Sequence, residues 1–211
     1  MAIKLVVADE QEVVRTGLAS LFRGSPIHIL GEASSGRGLL GEITKHRPEL
    51  VLMDILLSDG DGLQVIEKIH AKDPDVRVVV LSSFDNPTYV ARSRAWGACD
   101  YLLKQFNREQ LISAITQIAA GKAPTDLGLM QNVAAAMSGQ PMNGEQYATK
   151  LTLREAQVLR HLGYGLSNRE IGRSMDISVE TVKEHVQNIL RKLNLSDRTQ
   201  AAVWAVRKRI V

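Results

Sequence analysis

Residues 49–54 read Glu49-Leu50-Val51-Leu52-Met53-Asp54, an apolar run that ends on a carboxylate. Pro48 stands before it and the turn-rich Ser58-Asp59-Gly60-Asp61-Gly62 after it, which bounds the run as a short buried strand. A strand apolar on both faces belongs inside a parallel sheet whose two sides are covered by helices. Ligands on such sheets gather at the carboxyl ends of the strands, and Asp54 stands at that end. Taken alone, Asp54 reads equally as a turn or helix-cap aspartate. Its companions at the other strand ends decide between the two.

Upstream, residues 3–8 form an apolar strand that ends in Asp9-Glu10. Val13, Val14, Leu18, Leu21 and Phe22 then recur at helical spacing until Gly24-Ser25-Pro26. Residues 27–33 read as a strand and 39–46 as a helix. Downstream, Leu63, Val65, Ile66 and Ile69 mark a helix closed by Asp73-Pro74, and residues 76–81 form a strand leading into Ser82-Ser83. Asn86-Pro87 opens a helix to Trp96. Residues 99–103 make a fifth strand ending in Lys104, and 107–120 a fifth helix. Five strand–helix units predict an α/β doubly wound, five-stranded parallel sheet of the flavodoxin-like kind.

The strand ends thus deliver Asp9, Glu10, Asp54, Ser82 and Lys104. Three clustered carboxylates raise one another's pKa unless a hard cation shares them. Mg²⁺ takes oxygen ligands and keeps positions open for water or phosphate oxygens. A lysine and a hydroxyl nearby suit the remaining oxygens of a phosphoryl group. The chemistry indicated is phosphoryl transfer to a carboxylate, with Asp54 as nucleophile.

Asp9-Glu10, "VLMDI" around Asp54, Asp61-Gly62, "VVVLSS" with Ser82 and "DYLLK" with Lys104 together resemble the receiver domain of bacterial two-component response regulators. The resemblance implies that Asp54 accepts a phosphoryl group from a sensor histidine kinase. It also implies that Asp9, Glu10, Asp54 and the Leu56 backbone carbonyl hold Mg²⁺, that Ser82 and Lys104 draw toward the phosphate, and that Tyr101 is the aromatic switch. Three positions depart from the family pattern: Glu10 where Asp is usual, Ser58 where Pro is usual, and Gln105 after Lys104.

A competing motif is Gly36-Arg37-Gly38-Leu39-Leu40-Gly41, a formal GxGxxG with Asp54 about 20 residues on. It would imply a dinucleotide-dependent oxidoreductase. The fingerprint belongs after the first strand, however, and here it follows the second, leaving Asp9, Ser82 and Lys104 without a role. Turn and helix-start glycines account for it better. An Asp-nucleophile phosphohydrolase is the other enzymatic alternative, separable by turnover of phosphate esters.

The 211 residues are 45% hydrophobic and 23% charged, ordinary values for globular domains. No apolar run suits a membrane span, no signal-peptide layout opens the chain, and one cysteine, Cys99, forbids an internal disulfide. The expectation is a cytoplasmic protein with no membrane partner. Charge is uneven: from Lys150 onward there are 12 Lys and Arg against 6 Asp and Glu, and before it 14 against 17. An acidic regulatory part followed by a basic nucleic-acid binder fits that division.

Between them, residues 121–150 are rich in glycine and proline and read as a linker, with residues 127–137 a candidate short helix. Thr152-Leu153-Arg154-Glu155 and Ser167-Asn168-Arg169-Glu170 are capping boxes opening two helices. Ser178 caps a third, in which Val179, Val182, Val186, Ile189 and Leu193 are expected to face the core. Asp197 caps a fourth. A short helix, a turn and a longer polar-faced helix predict a helix-turn-helix whose second helix enters the major groove.

The run "GLSNREIGRSMDISVETVKEHVQNILRKL" closely resembles the LuxR-type output domain. By that resemblance Lys183, Glu184 and Gln187 face base edges, while Ser167, Asn168, Thr181, Arg191 and Lys192 position phosphates. His185 either contacts DNA or braces the helix, and the fourth helix resembles the dimer contact. The two resemblances arrive in the order of a NarL/FixJ-class response regulator: receiver at 1–121, linker at 122–149 and an all-α four-helix DNA-binding domain at 150–211. Expected partners are the histidine kinase, double-stranded promoter DNA, a second copy in a homodimer, and RNA polymerase. The alternative within the class binds DNA without phosphorylation.

Overall fold

A computed structural model describes residues 2–131, 133, 151–208 and 210–211. The chain divides into two compact units, Met1–Asp85 with Trp96–Met130, and Asn86–Ala95 with Gln131–Val211. In the first, β1 (Ile3–Ala8), β2 (Ile27–Ala33), β3 (Leu50–Met53), β6 (Arg77–Ser82) and β7 (Asp100–Leu103) form one sheet in the order β2-β1-β3-β6-β7. Every neighbouring pair is parallel. The order reverses beside β1, which makes the carboxyl ends of β1 and β3 the switch point where such sheets bind ligands.

The apolar runs are legible in the packing. All four residues of β3 are buried, because both faces of a central parallel strand are covered; all four of β7, at the sheet's edge, are buried as well. On one face Leu5, Val7, Leu50, Leu52, Val79 and Leu81 pack with Leu18 of α1 (Glu12–Leu21) and with Leu111, Ile115 and Ile118 of α5 (Arg108–Ala119). Helices α2 (Gly36–His46) and α3 (Gly62–Lys72) bury Leu39, Ile43, Leu63, Ile66 and Ile69. A small antiparallel hairpin, β4 (Leu56–Leu57) with β5 (Gly60–Asp61), stands where the sequence suggested only a turn.

The second unit contains α4 (Pro87–Ala95) and four C-terminal helices: α6 (Leu153–Gly163), α7 (Asn168–Met175), α8 (Val179–Leu193) and α9 (Arg198–Arg207). Both capping boxes form as read, Thr152 with Glu155 and Ser167 with Glu170, and Ser178 and Asp197 accept at the starts of α8 and α9. Val182, Val186 and Ile189 face the core. Val179 does not: it is 38% exposed, because the first residue of a helix projects beyond the layer that its later turns cover. Residues 127–129 are turn rather than helix, and helix begins at Met130; most of the rest of that expected segment lies outside the described residues.

Candidate functional site

Backbone hydrogen bonds draw the strand ends together. The Asp54 N–H donates to Ala8 O at 2.8 Å, joining the ends of β3 and β1, and the Lys104 N–H donates to Ser82 O at 2.8 Å, joining those of β7 and β6. The side chains that follow therefore converge. Lys104 Nζ lies 2.6 Å from Asp9 Oδ2 and 2.6 Å from Asp54 Oδ2. The second oxygen of each carboxylate is oriented by amides: Asp54 Oδ1 accepts from Ile55 N at 2.6 Å, and Asp9 Oδ1 from Gln11 N at 2.9 Å.

Burial by itself would lower the Lys104 pKa, but the hydrogen bonds to Asp54 and Asp9 and their charges outweigh it, and the ammonium is held above its usual range. Ser82, whose carbonyl receives the Lys104 N–H, is fully buried, and its hydroxyl accepts the Phe84 N–H at 3.2 Å. Tyr101 is 0% exposed and its phenol donates to Phe84 O at 2.7 Å. The aromatic is thus turned inward.

Asp9, Asp54, Ser82 and Lys104 lie at this end of the sheet, and Tyr101 lies within β7 in register with Val80. Glu10 is exposed, while Asp9 beside it is buried. Among the described residues no group of three His, Cys, Asp or Glu side chains is arranged to hold a metal ion. Two carboxylate oxygens do meet at one cationic centre, with Lys104 supplying the charge. That donor set fits Mg²⁺, which is commonly held through one or two carboxylates and completes its shell with water and carbonyl oxygens. Leu56, whose carbonyl was expected to assist, starts the hairpin two residues beyond Asp54.

The glycine-rich motif has a different occupant. Gly36 N and Arg37 N, the first amides of α2, donate to Asp59 Oδ1 and Oδ2 at 2.6 and 3.0 Å. Ser35 caps the next amide, that of Gly38. The anion-attracting helix end is filled by the chain's own carboxylate. Those hydrogen bonds from Arg37 and Gly36 hold Asp59 below the usual carboxylate range, against a smaller opposing effect of burial. Sequence reading missed this partner, because residues 36 and 59 meet only through the fold.

In the second unit α8 presents Lys183, Glu184, Gln187 and Arg191 to solvent, while Thr181 and His185 are half-buried on its flanks. Lys183 pairs with Glu180 at 2.7 Å, and Arg191 donates to Asn188 at 2.8 Å. Other expected phosphate contacts have internal partners. Lys192 Nζ grips both oxygens of the buried Glu155 at 2.8 and 2.7 Å. Asn168 Oδ1 accepts from Arg198 at 3.1 Å, and Ser167 hydrogen-bonds Glu170 within its capping box. Glu170 is 3% exposed and also pairs with Arg92 of α4 at 2.7 Å.

The first part of the chain, residues 5–116, matches the family described as response regulator receiver domain, and residues 149–205 match bacterial regulatory proteins of the luxR family. An uncharacterized transcriptional regulatory protein of Bacillus subtilis, YhcZ, is 37% identical over 206 residues, covering 97% of this chain and 96% of that one. The response regulator protein VraR of Staphylococcus aureus is 32% identical over 212 residues, covering all of both. Among solved structures, the response regulator ChrA of a heme-sensing two-component system is 27% identical, with a TM-score of 0.53 over 100% of this chain and 99% of that one. RcsB of Salmonella enterica serovar Typhimurium, solved on promoter rprA with a phosphomimetic, shares the fold at 19% identity, with a TM-score of 0.56 over 95% of this chain and 96% of that one.

Proposed function

Since the chain belongs to the response regulators that join a receiver domain to a LuxR-type helix-turn-helix, we propose that phosphorylation of Asp54 by a sensor histidine kinase controls its binding to promoter DNA. Proteins of this family pair with histidine kinases and bind DNA, and the chain is a transcription regulator rather than an enzyme. The observation that supports the finer reading is the meeting of Asp9, Asp54 and Lys104 at the switch point of the sheet.

In this reading the Asp54 carboxylate attacks phosphorus through Oδ2, the oxygen facing Lys104. A P–O bond forms, the P–N bond of the kinase phosphohistidine breaks, and the imidazole leaves with the electron pair and takes up a proton. Asp9 and Asp54 would hold Mg²⁺, which supplies neutralising charge to the transferring phosphoryl group when bound. Glu10, on the solvent side, is left out of that set. Lys104 holds the charge of the acyl phosphate, and Ser82 donates its hydroxyl hydrogen to a phosphoryl oxygen. Tyr101 reports the change from the neighbouring strand. On DNA, Lys183, Glu184 and Gln187 read base edges from α8, and Thr181, Arg191 and His185 lie along its flanks. Two copies, related by two-fold symmetry, read paired half-sites.

The test is phosphoryl uptake from acetyl phosphate with Mg²⁺, followed on a phosphate-affinity gel beside DNA titrations. The wild type should take up one acid-stable, base-labile phosphoryl group and change its DNA affinity. Asp54→Ala should take up none while keeping basal DNA binding. Uptake by Asp54→Ala refutes the assignment, and an unphosphorylated wild type with full DNA affinity leaves a regulator that works without phosphate.

A further inference from the structure

The polypeptide leaving α5 does not depart from the first unit at once. It runs beside β7, the outer strand of the sheet, and the Leu129 N–H donates to Tyr101 O at 2.9 Å. The neighbouring residue, Asp100, is 0% exposed. Its Oδ2 accepts both the Thr125 N–H and the Thr125 hydroxyl at 2.7 Å each, and its Oδ1 accepts the Tyr101 N–H at 2.8 Å. Thr125 Oγ1 in turn accepts the Gly128 N–H at 3.1 Å. A Cβ at Gly128 would overlap the Asp100 carboxylate, so only glycine lets the strap come this close. Leu127 packs against the sheet's core and Met130 is buried.

A carboxylate buried among N–H and O–H donors is an expensive fastening for a chain segment that apolar contacts alone could hold. Burial pushes the Asp100 pKa up, and the donors from Thr125, Tyr101 and Met130 pull against it. The fastening also sits at a particular place. The strap is tied to the side chain of Asp100 and to the carbonyl of Tyr101, on the strand that ends in Lys104. Residues 125–129 are thus held directly to that strand, as β6 is on its other side.

We propose that Asp100, Thr125 and Gly128 form a latch that fastens the connector to the Tyr101 strand and carries the state of the Asp54 pocket into the connector. This rests on the phosphorylation reading above. The experiment uses the full chain with Thr125→Val, which removes the hydroxyl and keeps shape, and Asp100→Asn alongside it. Hydrogen exchange of the Gly128 and Leu129 amides should quicken about ten-fold in Thr125→Val, the effect of losing one hydrogen bond to a charged acceptor. Phosphoryl uptake by Asp54 should stay at the wild-type level, while the change in DNA affinity caused by acetyl phosphate shrinks by at least about five-fold.

A folded Thr125→Val protein with faster exchange and an undiminished DNA response overturns the proposal, since the latch would then be a structural fastening only. Should Asp100→Asn fail to fold, Thr125→Val decides. Should the wild type take up no phosphoryl group, the phosphorylation reading fails by itself. The latch is then judged on basal DNA affinity, which Thr125→Val shifts at least about three-fold if the connector sets the state of the DNA-binding helices and leaves unchanged if it does not.

Discussion

Replacing Lys104 by alanine removes the cation that Asp9 and Asp54 share. The lysine side chain is 15% exposed and those of Asp9 and Asp54 are 3% and 11% exposed. Exposed ion pairs contribute at most about 1 kcal/mol, while removing one partner of a buried pair costs about 3–5 kcal/mol because a charge is left unpaired. This site is close to the buried limit but opens at the strand ends, so Lys104→Ala should cost about 2–4 kcal/mol at neutral pH without metal. Urea unfolding followed by circular dichroism measures it. Adding Mg²⁺ should return much of the loss to the variant, about 2.7 kcal/mol at a hundred-fold excess over its Kd, and less to the wild type, whose ammonium competes for the same oxygens. The pH dependence has a definite sign. A lysine held above its ordinary 10.5 contributes stability that is full below that value and is lost as pH rises through the folded pKa. The gap between wild type and variant should therefore close only in strong alkali. A variant as stable as the wild type in metal-free neutral buffer refutes the reasoning, and so does one that Mg²⁺ helps no more than the wild type.

Two further substitutions separate structure from recognition in the second unit. Lys192→Ala strands the buried Glu155 carboxylate and should lower stability by about 2 kcal/mol in urea unfolding followed by Trp204 fluorescence; a loss of DNA affinity without a loss of stability would restore Lys192 to phosphate contact. His161 Nδ1 donates to Gln157 O at 2.7 Å, so Nε2 accepts from Ser174 Oγ at 2.9 Å, which is the neutral ring. Burial, with the charges of Arg94 and Arg160, holds its pKa below 6.5. The stability it contributes is full above 6.5 and is lost as pH falls toward the folded value, and His161→Gln should flatten that acid-side decline in the unfolding midpoint.

The parts of this molecule that could be read from the sequence are those fixed by short-range pattern. The runs at 50–53 and 78–81 are apolar on both faces because both faces are covered, and strands of that kind announce themselves. Once the strands are placed, the convergence of Asp9, Asp54, Ser82 and Lys104 follows from topology alone. The four helix caps at Thr152, Ser167, Ser178 and Asp197 were equally legible, since a cap reaches only three residues. Pairings between distant residues were not. Asp59 with the α2 amides, Glu155 with Lys192 and Asp100 with Thr125 join groups 22 to 37 residues apart, and nothing local marks one carboxylate as the partner of one donor.

The pair Asp9-Glu10 shows how residue type and backbone path give different answers at one site. Composition counts three acids at the strand ends, which suggests a three-carboxylate nest. Asp9, however, follows the last residue of β1, and the chain bends at Glu10. Asp9 turns into the pocket and Glu10 turns out to solvent, so Asp9 and Asp54 are the carboxylates that meet at Lys104. Two negative charges facing one another in a half-buried site require a positive one, and Lys104 meets that need from the end of β7. A divalent ion at these oxygens would compete with the ammonium for the same negative charge. Glu10, exposed beside the buried Asp9, is the acid whose part in holding a cation is tested by titrating Glu10→Ala with Mg²⁺.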